Sequence, residues 1–249
     1  MRVFAVVLCL LSAVPLHADD LTGIWRIDRL GALDLSGLSE PGRHEVTVEG
    51  GRFLARLACA YVEGEVTEAG LSREGVTGDW LKCPAEERAA AERLIDVLTD
   101  PGRVAFLVGD VLTLRASDGG STVWTRLPGS SGPSEALQGI LGEWRIAAVD
   151  GEAPLPGIET DRPPVVVVDR FRIGGNAGCN GGGADILWRE DGFVSRGPVV
   201  STAMLCEPLM AQEFALFGVF AGPSQVERTA EGWRLTGETG TTVDLVAMP

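Results

Sequence analysis

Two cysteine pairs lie in two matching halves of this chain, and that duplication limits what it can fold into more than any other feature. Cys59 and Cys83 fall in the first half, Cys179 and Cys206 in the second. A proline and an apolar-periodic segment follow each pair: Cys83-Pro84 with Ala91, Leu94, Ile95 and Leu98, then Cys206-Glu207-Pro208 with Met210, Phe214 and Phe217. Each half opens on a shared string, Gly23-Ile24-Trp25-Arg26-Ile27 and Gly142-Glu143-Trp144-Arg145-Ile146. A repeated module with its own cysteine pair predicts two small domains, each closed by one disulfide: Cys59–Cys83 and Cys179–Cys206. The other pairings would link the domains.

The N-terminus reads as a secretory signal over residues 1–18. Arg2 supplies the positive start, Val3 to Val14 the apolar run, and Leu16-His17-Ala18 the small residue before cleavage. A run of about a dozen residues falls short of the roughly 20 that span a bilayer. Cys9 lies inside this run and leaves with the signal; Leu8 before it does not suit a lipid-attachment box. The remaining cysteines are the two pairs, and an even number in an exported chain favours disulfides. Buried free thiols or a metal site are the alternatives. Zinc sites want close pairs such as C-x-x-C together with histidines, whereas here the gaps are long and the mature chain has one histidine, His44. No metal and no cofactor are expected.

The chain carries 21 basic and 35 acidic residues, a net charge of −14. Nucleic-acid binding needs a basic face and is disfavoured, as is adhesion to anionic lipid; solubility is the plain reading of such a charge. Pro128-Gly129-Ser130-Ser131-Gly132-Pro133-Ser134 has linker composition where the repeat requires a boundary. The expected division is domain 1 over residues 19–128, a linker over 129–138 and domain 2 over 139–249. Each half, roughly 110 residues, buries a modest core, so a disulfide closing a loop of about 25 residues, adding roughly 3 kcal/mol, matters to its stability.

Most of each half reads as strand. His44 to Val48, Phe53 to Cys59 and Val165 to Val168 alternate or are β-branched, and hairpin signals surround Asp118-Gly119, Asp191-Gly192 and Gly237 to Gly240. One helix per half is the exception. Pro84 suits a first helical turn, Glu86 and Glu87 complement the helix's positive end, and Asp100-Pro101-Gly102 stops it. The second helix is expected from Pro208 to just before Gly222-Pro223.

In the second half, Gly178-Cys179-Asn180 followed by Ser201-Thr202-Ala203-Met204-Leu205-Cys206 resembles the META domain, the HslJ-like family. Trp144 after a glycine, Asp150-Gly151 before Pro154, Glu213-Phe214 and Leu235-Thr236 fit the same template, over residues 140–246. The first half looks like a diverged copy. It keeps Trp25, the cysteines, the helix and Leu112-Thr113-Leu114, but reads Ala58-Cys59-Ala60 and Gly78-Asp79-Trp80-Leu81-Lys82 where the motifs would stand. The resemblance implies an α+β fold, two tandem mainly antiparallel β domains each with one covering helix. It also implies a bacterial envelope location and a link to stress tolerance, and it brings no enzyme activity.

Catalytic patterns are missing from the sequence. No G-x-S-x-G frames a serine, no S-x-x-K precedes Lys82, and His44-Glu45 has no second histidine to complete a metalloprotease motif. His44 is expected at the surface of a strand. Paired carboxylates for glycoside hydrolysis have no distinguishing spacing here. The run Gly174-Gly175-Asn176-Ala177-Gly178-Cys179-Asn180-Gly181-Gly182-Gly183 lacks the G-K-[ST] of a phosphate loop. Glycines in a strand mark bulges or close backbone approach, and exposed backbone here offers a second reading, recognition of a peptide or glycan. Trp25 and Trp144 occupy equivalent positions and read as core; Trp80 and Trp188 have no such equivalence and are candidate contact residues.

These features predict a non-enzymatic, periplasmic or secreted protein acting by binding. Candidate binding residues are Asn180, Gly181, Gly182, Gly183 and Trp188. The expected partner is a periplasmic protein or a small ligand, and the expected state is a monomer. The alternative is a protein–protein inhibitor or chaperone-like interaction module; a carboxylate-based hydrolase is the weaker rival.

Overall fold

The structure, a computed structural model, describes residues 18–35, 44–57, 60–67, 70–78, 84–157 and 163–248. The chain divides after Leu127 into two compact units, and the strands of each pair antiparallel throughout.

The first unit comprises α1 (Ala18–Leu21), β1 (Gly23–Leu30), β2 (Leu33–Asp34), β3 (His44–Glu49), β4 (Arg52–Leu57), β5 (Ala60–Thr67), β6 (Gly70–Gly78), α2 (Ala85–Thr99), β7 (Val104–Val108), β8 (Val111–Arg115) and β9 (Ser121–Arg126). Its strands form one open sheet in the order β6-β5-β4-β3-β1-β9-β8-β7, with β2 on β1. The two-residue period of a strand sets the inward face: Phe53, Ala55 and Leu57 of β4 are buried while Arg52, Leu54 and Arg56 point out. The same period corrects the expectation for His44, which is 8% exposed because it shares a face with the buried Val46 and Val48. Gly50 and Gly51, with φ of 58° and 75°, supply the left-handed pair that a tight two-residue hairpin requires.

Helix α2 lies on this sheet through Ala91, Leu94, Val97 and Leu98, all buried, with Ile95 partly so. Pro84 stands at the N-cap, one residue before the expected position. The C-terminal end is held from outside. The Arg103 guanidinium donates to the carbonyls of Val97 and Leu98 and reaches the Leu71 carbonyl of β6 at 2.9 Å. A cation on helix C-terminal carbonyls complements the negative end of the dipole. Next to it, Asp100 accepts from Gly102 N at 2.7 Å, from Ser117 Oγ at 2.8 Å and from Ser117 N.

The second unit opens with a 3-10 turn (Glu135–Ile140) and continues as β10 (Gly142–Val149), β11 (Val165–Val168), β12 (Arg172–Asn176), β13 (Gly181–Arg189), β14 (Gly192–Ser195), β15 (Val200–Ser201), α3 (Met210–Ala221), β16 (Ser224–Arg228), β17 (Gly232–Gly237) and β18 (Thr242–Ala247). The order β12-β11-β10-β18-β17-β16-β14-β13 is closed by pairing of β13 with β12, and β15 adds to β13. This is a closed barrel, where a sheet with a covering helix was expected. Barrels of this size are filled by side chains, and Ile146, Val166, Ile173, Ile186, Phe193, Leu235, Val243 and Leu245 fill this one, together with Leu216, Val219 and Phe220 of α3. The helix begins at Met210, two residues later than expected.

The segment expected as a linker is packed onto the second unit. Trp188 N donates to Gly129 O at 2.9 Å, Ser130 is fully buried, Ser131 O accepts from Arg170, and Leu137 and Ile140 enter the barrel core. Gly129 has φ of +77°, and a Cβ there would stand 2.0 Å from the Trp188 carbonyl oxygen.

The shared strings that open each half occupy β1 and β10. Trp25 Nε1 donates to Leu21 O at 2.8 Å and Trp144 Nε1 to Ile140 O at 2.6 Å, four residues back in both cases. The β1–β9 ladder shifts register between Ile27 and Arg29, and the β10–β18 ladder between Ile146 and Ala148. Trp25 is fully buried and Trp144 packs, half-buried, against its core. Cys59, Cys83 and Trp80 lie outside the described residues, as does the expected signal apart from Ala18. No helix among the described residues is long and apolar enough to cross a membrane.

Candidate functional site

The site is built where β13 begins. Cys179 and Cys206 form a disulfide with their Cα atoms 6.3 Å apart, as the sequence leads one to expect. It clamps the segment leading into α3 against the start of β13, and Leu209 packs with the two half-cystines.

Asn180 is the centre of this clamp. It is 2% exposed, and its side chain uses all four of its hydrogen-bonding positions. Its Oδ1 accepts from Met204 N at 2.7 Å and Thr202 Oγ1 at 2.9 Å; its Nδ2 donates to Met204 O and Glu213 Oε2, both at 2.8 Å. The backbone N–H of Asn180 donates to Glu213 Oε1 at 2.5 Å. Asn180 thus pairs with Met204 through both backbone groups, as a neighbouring strand residue would, and ties that segment to the first turn of α3. Glu213, 3% exposed, has both carboxylate oxygens occupied by Asn180 and sits at the helix end where the dipole favours negative charge.

This arrangement sets the rotation of α3. The sequence suggests an apolar stripe of Met210, Phe214 and Phe217, but the residues turned inward are Glu213, Leu216, Val219 and Phe220, and Phe214 is 70% exposed. Glu213, bonded through both oxygens, lies on the inward face, and Phe214, one position on, falls on the solvent side while Phe217 packs partly buried against the core. The signal available in the sequence was Glu213 itself, an acidic residue in a mostly apolar helix with a polar partner far upstream.

The glycines answer to packing. Gly174 pairs with Gly183 and Gly175 with Gly182 where β12 meets β13. A Cβ on Gly183 would lie 2.6 Å from Ile173 O, one on Gly175 2.6 Å from Val165 O, and one on Gly182 2.8 Å from the Phe217 ring. The run lets two strands and the ring of Phe217 approach closely, and Gly181 N donates to Thr202 Oγ1 at 3.3 Å. Trp188, a candidate contact residue from the sequence, is 4% exposed; its Nε1 donates to Arg170 O at 2.6 Å and its ring meets Phe193 edge-on at 6.2 Å.

Above the buried polar network lies a cleft of about 280 Å³ lined by Thr202, Met204, Leu205, Met210, Phe214 and Phe217. Its rim is apolar and open to solvent: Leu205 is 82% exposed and Met204 49%. The sequence reading placed binding on Asn180 and the glycines; the residues that face solvent here are their neighbours on the 202–206 segment and on α3. Among the described residues no group of His, Cys, Asp and Glu is arranged to hold a metal ion.

Comparison with known proteins bears on this unit. No curated protein matches the chain. Two solved structures align with it. One, described as the NMR structure of a protein, is 18% identical, covering 44% of this chain and 92% of its own with a TM-score of 0.37. The other, an NMR structure of a protein from Burkholderia xenovorans, is 21% identical, covering 45% and 88% with a TM-score of 0.35. The family likeness lies in residues 135–248, which match the META domain model and contain the disulfide, Asn180, Glu213 and the cleft above them.

Proposed function

We propose that this chain is a non-enzymatic, exported protein of the bacterial cell envelope that acts by binding, in stress tolerance, through the cleft over Asn180 and Glu213. The observation that carries the reading is a division of labour. The polar groups nearest the cleft, on Asn180, Glu213 and Thr202, are spent on one another, while Met204, Leu205 and Phe214 stand exposed around it. Such a surface suits recognition of apolar groups. Large exposed apolar side chains grouped on one face mark binding sites, and a disulfide-held segment presents them without a large ordering cost. The envelope location draws on the signal-like N-terminus and on the disulfide, which suits an oxidising compartment.

In this reading the first unit is a diverged copy of the second. Its support is the shared strand order along β4-β3-β1-β9-β8-β7 and β12-β11-β10-β18-β17-β16, the indole bonds to the carbonyl four residues back, and the register shift at Ile27 and Ile146.

The test is titration of fluorescent apolar peptides and of a fatty acid against the intact protein and its Leu205→Asp and Phe214→Ser variants. Binding is expected for the parent and at least tenfold weaker in both variants, whose melting temperatures stay near the parent's because both side chains are solvent-exposed. Binding unchanged in both variants removes the cleft. The rival reading, an inhibitor or chaperone-like module, uses the same rim against a folded protein; a stoichiometric partner released by Leu205→Asp would favour it.

A further inference from the structure

The rim of the cleft carries a further inference, which rests on the reading of that cleft as a binding surface. Met204, Met210 and Met248 are the methionines among the described residues, and the first two line the cleft. They differ in access to solvent. Met204 is 49% exposed and Met248, just past the end of β18, 39%. Met210, which opens α3, is half-buried.

The surroundings of Met204 hold its backbone and leave its side chain in solvent. Its N–H donates to Asn180 Oδ1 at 2.7 Å, and its C=O accepts from Asn180 Nδ2 at 2.8 Å. Two residues on, the disulfide from Cys206 to Cys179 fixes the same segment again. A small oxidant dissolved in the surrounding water therefore reaches this thioether without any opening of the fold. The modified side chain has no place in the core to lose.

The other sulfurs beneath this face are already committed. Cys179 and Cys206 are 6% and 9% exposed and bonded to each other, so neither presents a thiol. Met204 carries the most exposed reduced sulfur at the cleft. Oxidation to the sulfoxide turns a flexible apolar side chain into a polar one. The new S=O would stand on a rim it shares with the apolar side chains of Leu205, Phe214 and Phe217. An apolar ligand covering that rim has to strip water from the S=O and offers no donor in return, which is costly.

We propose that Met204 is a reversible oxidation site that controls the cleft: a hydroperoxide converts it to the sulfoxide and weakens apolar binding, and reduction restores it. In the forward step the Met204 Sδ lone pair attacks one peroxide oxygen. An S–O bond forms as the O–O bond breaks, and with hydrogen peroxide the second oxygen leaves as water. Sulfur gives up two electrons and the peroxide takes them. In the return step a dithiol supplies two electrons and two protons, the sulfoxide oxygen leaves as water, and the dithiol becomes a disulfide. Sulfoxide reductases, one for each epimer, carry out this return. The site is thus a switch on binding, with the fold of the second unit the same in both states.

Hydrogen peroxide treatment of the intact protein tests this, read by peptide mass spectrometry and by titration of a methionine-free fluorescent apolar peptide. Met204 is expected to gain one oxygen ahead of Met210. Affinity for the peptide should fall at least tenfold as it does so, while the melting temperature stays near that of the untreated protein. The two sulfoxide reductases should restore the affinity, with the Cys179–Cys206 disulfide confirmed intact by mass. Met204→Leu, whatever affinity it starts from, should show the same value before and after peroxide, and Met204→Gln should bind as weakly as the oxidised parent. Met248→Leu should lose affinity on oxidation as the parent does. A parent that binds the peptide and keeps its affinity once Met204 carries oxygen overturns this proposal and leaves the cleft reading standing. A parent that binds neither this peptide nor a fatty acid before oxidation overturns both. Oxidation of Met210 ahead of Met204, or a peroxide effect that persists in Met204→Leu, overturns the assignment to Met204.

Discussion

At the scale of single residues, Asn180 shows how a motif residue that looks like a surface contact serves the interior. Its side chain replaces a missing strand partner for Met204 and neutralises the hydrogen-bonding demand of a buried carboxylate. Asn180→Ala leaves the Met204 N–H and C=O and one oxygen of Glu213 without their partners. Each buried orphan costs about 1–3 kcal/mol, so the second unit is expected to lose about 3 kcal/mol or more, read as a shift in its denaturant midpoint with unchanged slope. A loss below about 1 kcal/mol would mean that water replaces the amide and that the network is less dry than its burial implies. The Gly-Cys-Asn and Thr-Ala-Met strings were legible in the sequence; that they bond to each other and to Glu213 was not, because residues 24 and 33 positions apart meet only once the barrel closes. Trp188 has no counterpart in the first half and reads as a contact residue in the sequence; in the structure it is buried, with its indole donating to the Arg170 carbonyl inside the second unit.

At the scale of elements, the two helices illustrate what periodicity conveys. For α2 the stripe of Ala91, Leu94 and Leu98 was readable and is the buried face, with Val97 added to it. For α3 the apolar content is high on every side, so pattern alone could not choose a face, and the Glu213–Asn180 bonds choose it. The stop of α2 is equally specific. Asp100 is held below the ordinary carboxylate value of 3.8 chiefly by the Ser117 backbone N–H, then by the Ser117 hydroxyl and the Gly102 N–H. A carboxyl whose value is depressed on folding contributes stability that is complete above its unfolded value and is lost as pH falls through the folded one. The melting temperature of Asp100→Ala should therefore fall below the parent's at about pH 7, and that gap should narrow on acidification to about pH 3 or lower. A gap that is constant with pH would assign the residue's effect to turn geometry alone.

At the scale of the whole molecule, two units share one strand order and differ in closure. The second completes a ring and carries a disulfide across 27 residues of sequence; the first leaves β6 and β7 at opposite ends of an open sheet. On the chain-entropy account, replacing both Cys179 and Cys206 by Ser removes about 3–4 kcal/mol from the second unit. Two-transition unfolding, with only the second unit's transition moved, is the expected calorimetric outcome; a single transition shifted as a block would show that the units unfold together.

The alternation of most strands, the hairpin turns, the α2 stop and the Cys179–Cys206 pairing were determined by the sequence alone. Each depends on neighbours close in the chain or on cysteines that the sequence shows directly. Tertiary structure alone decided that β12 meets β13 to close a barrel, that the expected linker packs into the second unit, that α3 turns Glu213 inward and Phe214 outward, and that β7 is left as an edge. These depend on contacts between segments far apart in sequence, where the deciding quantity is which polar groups and which surfaces remain unsatisfied after the local structure has formed.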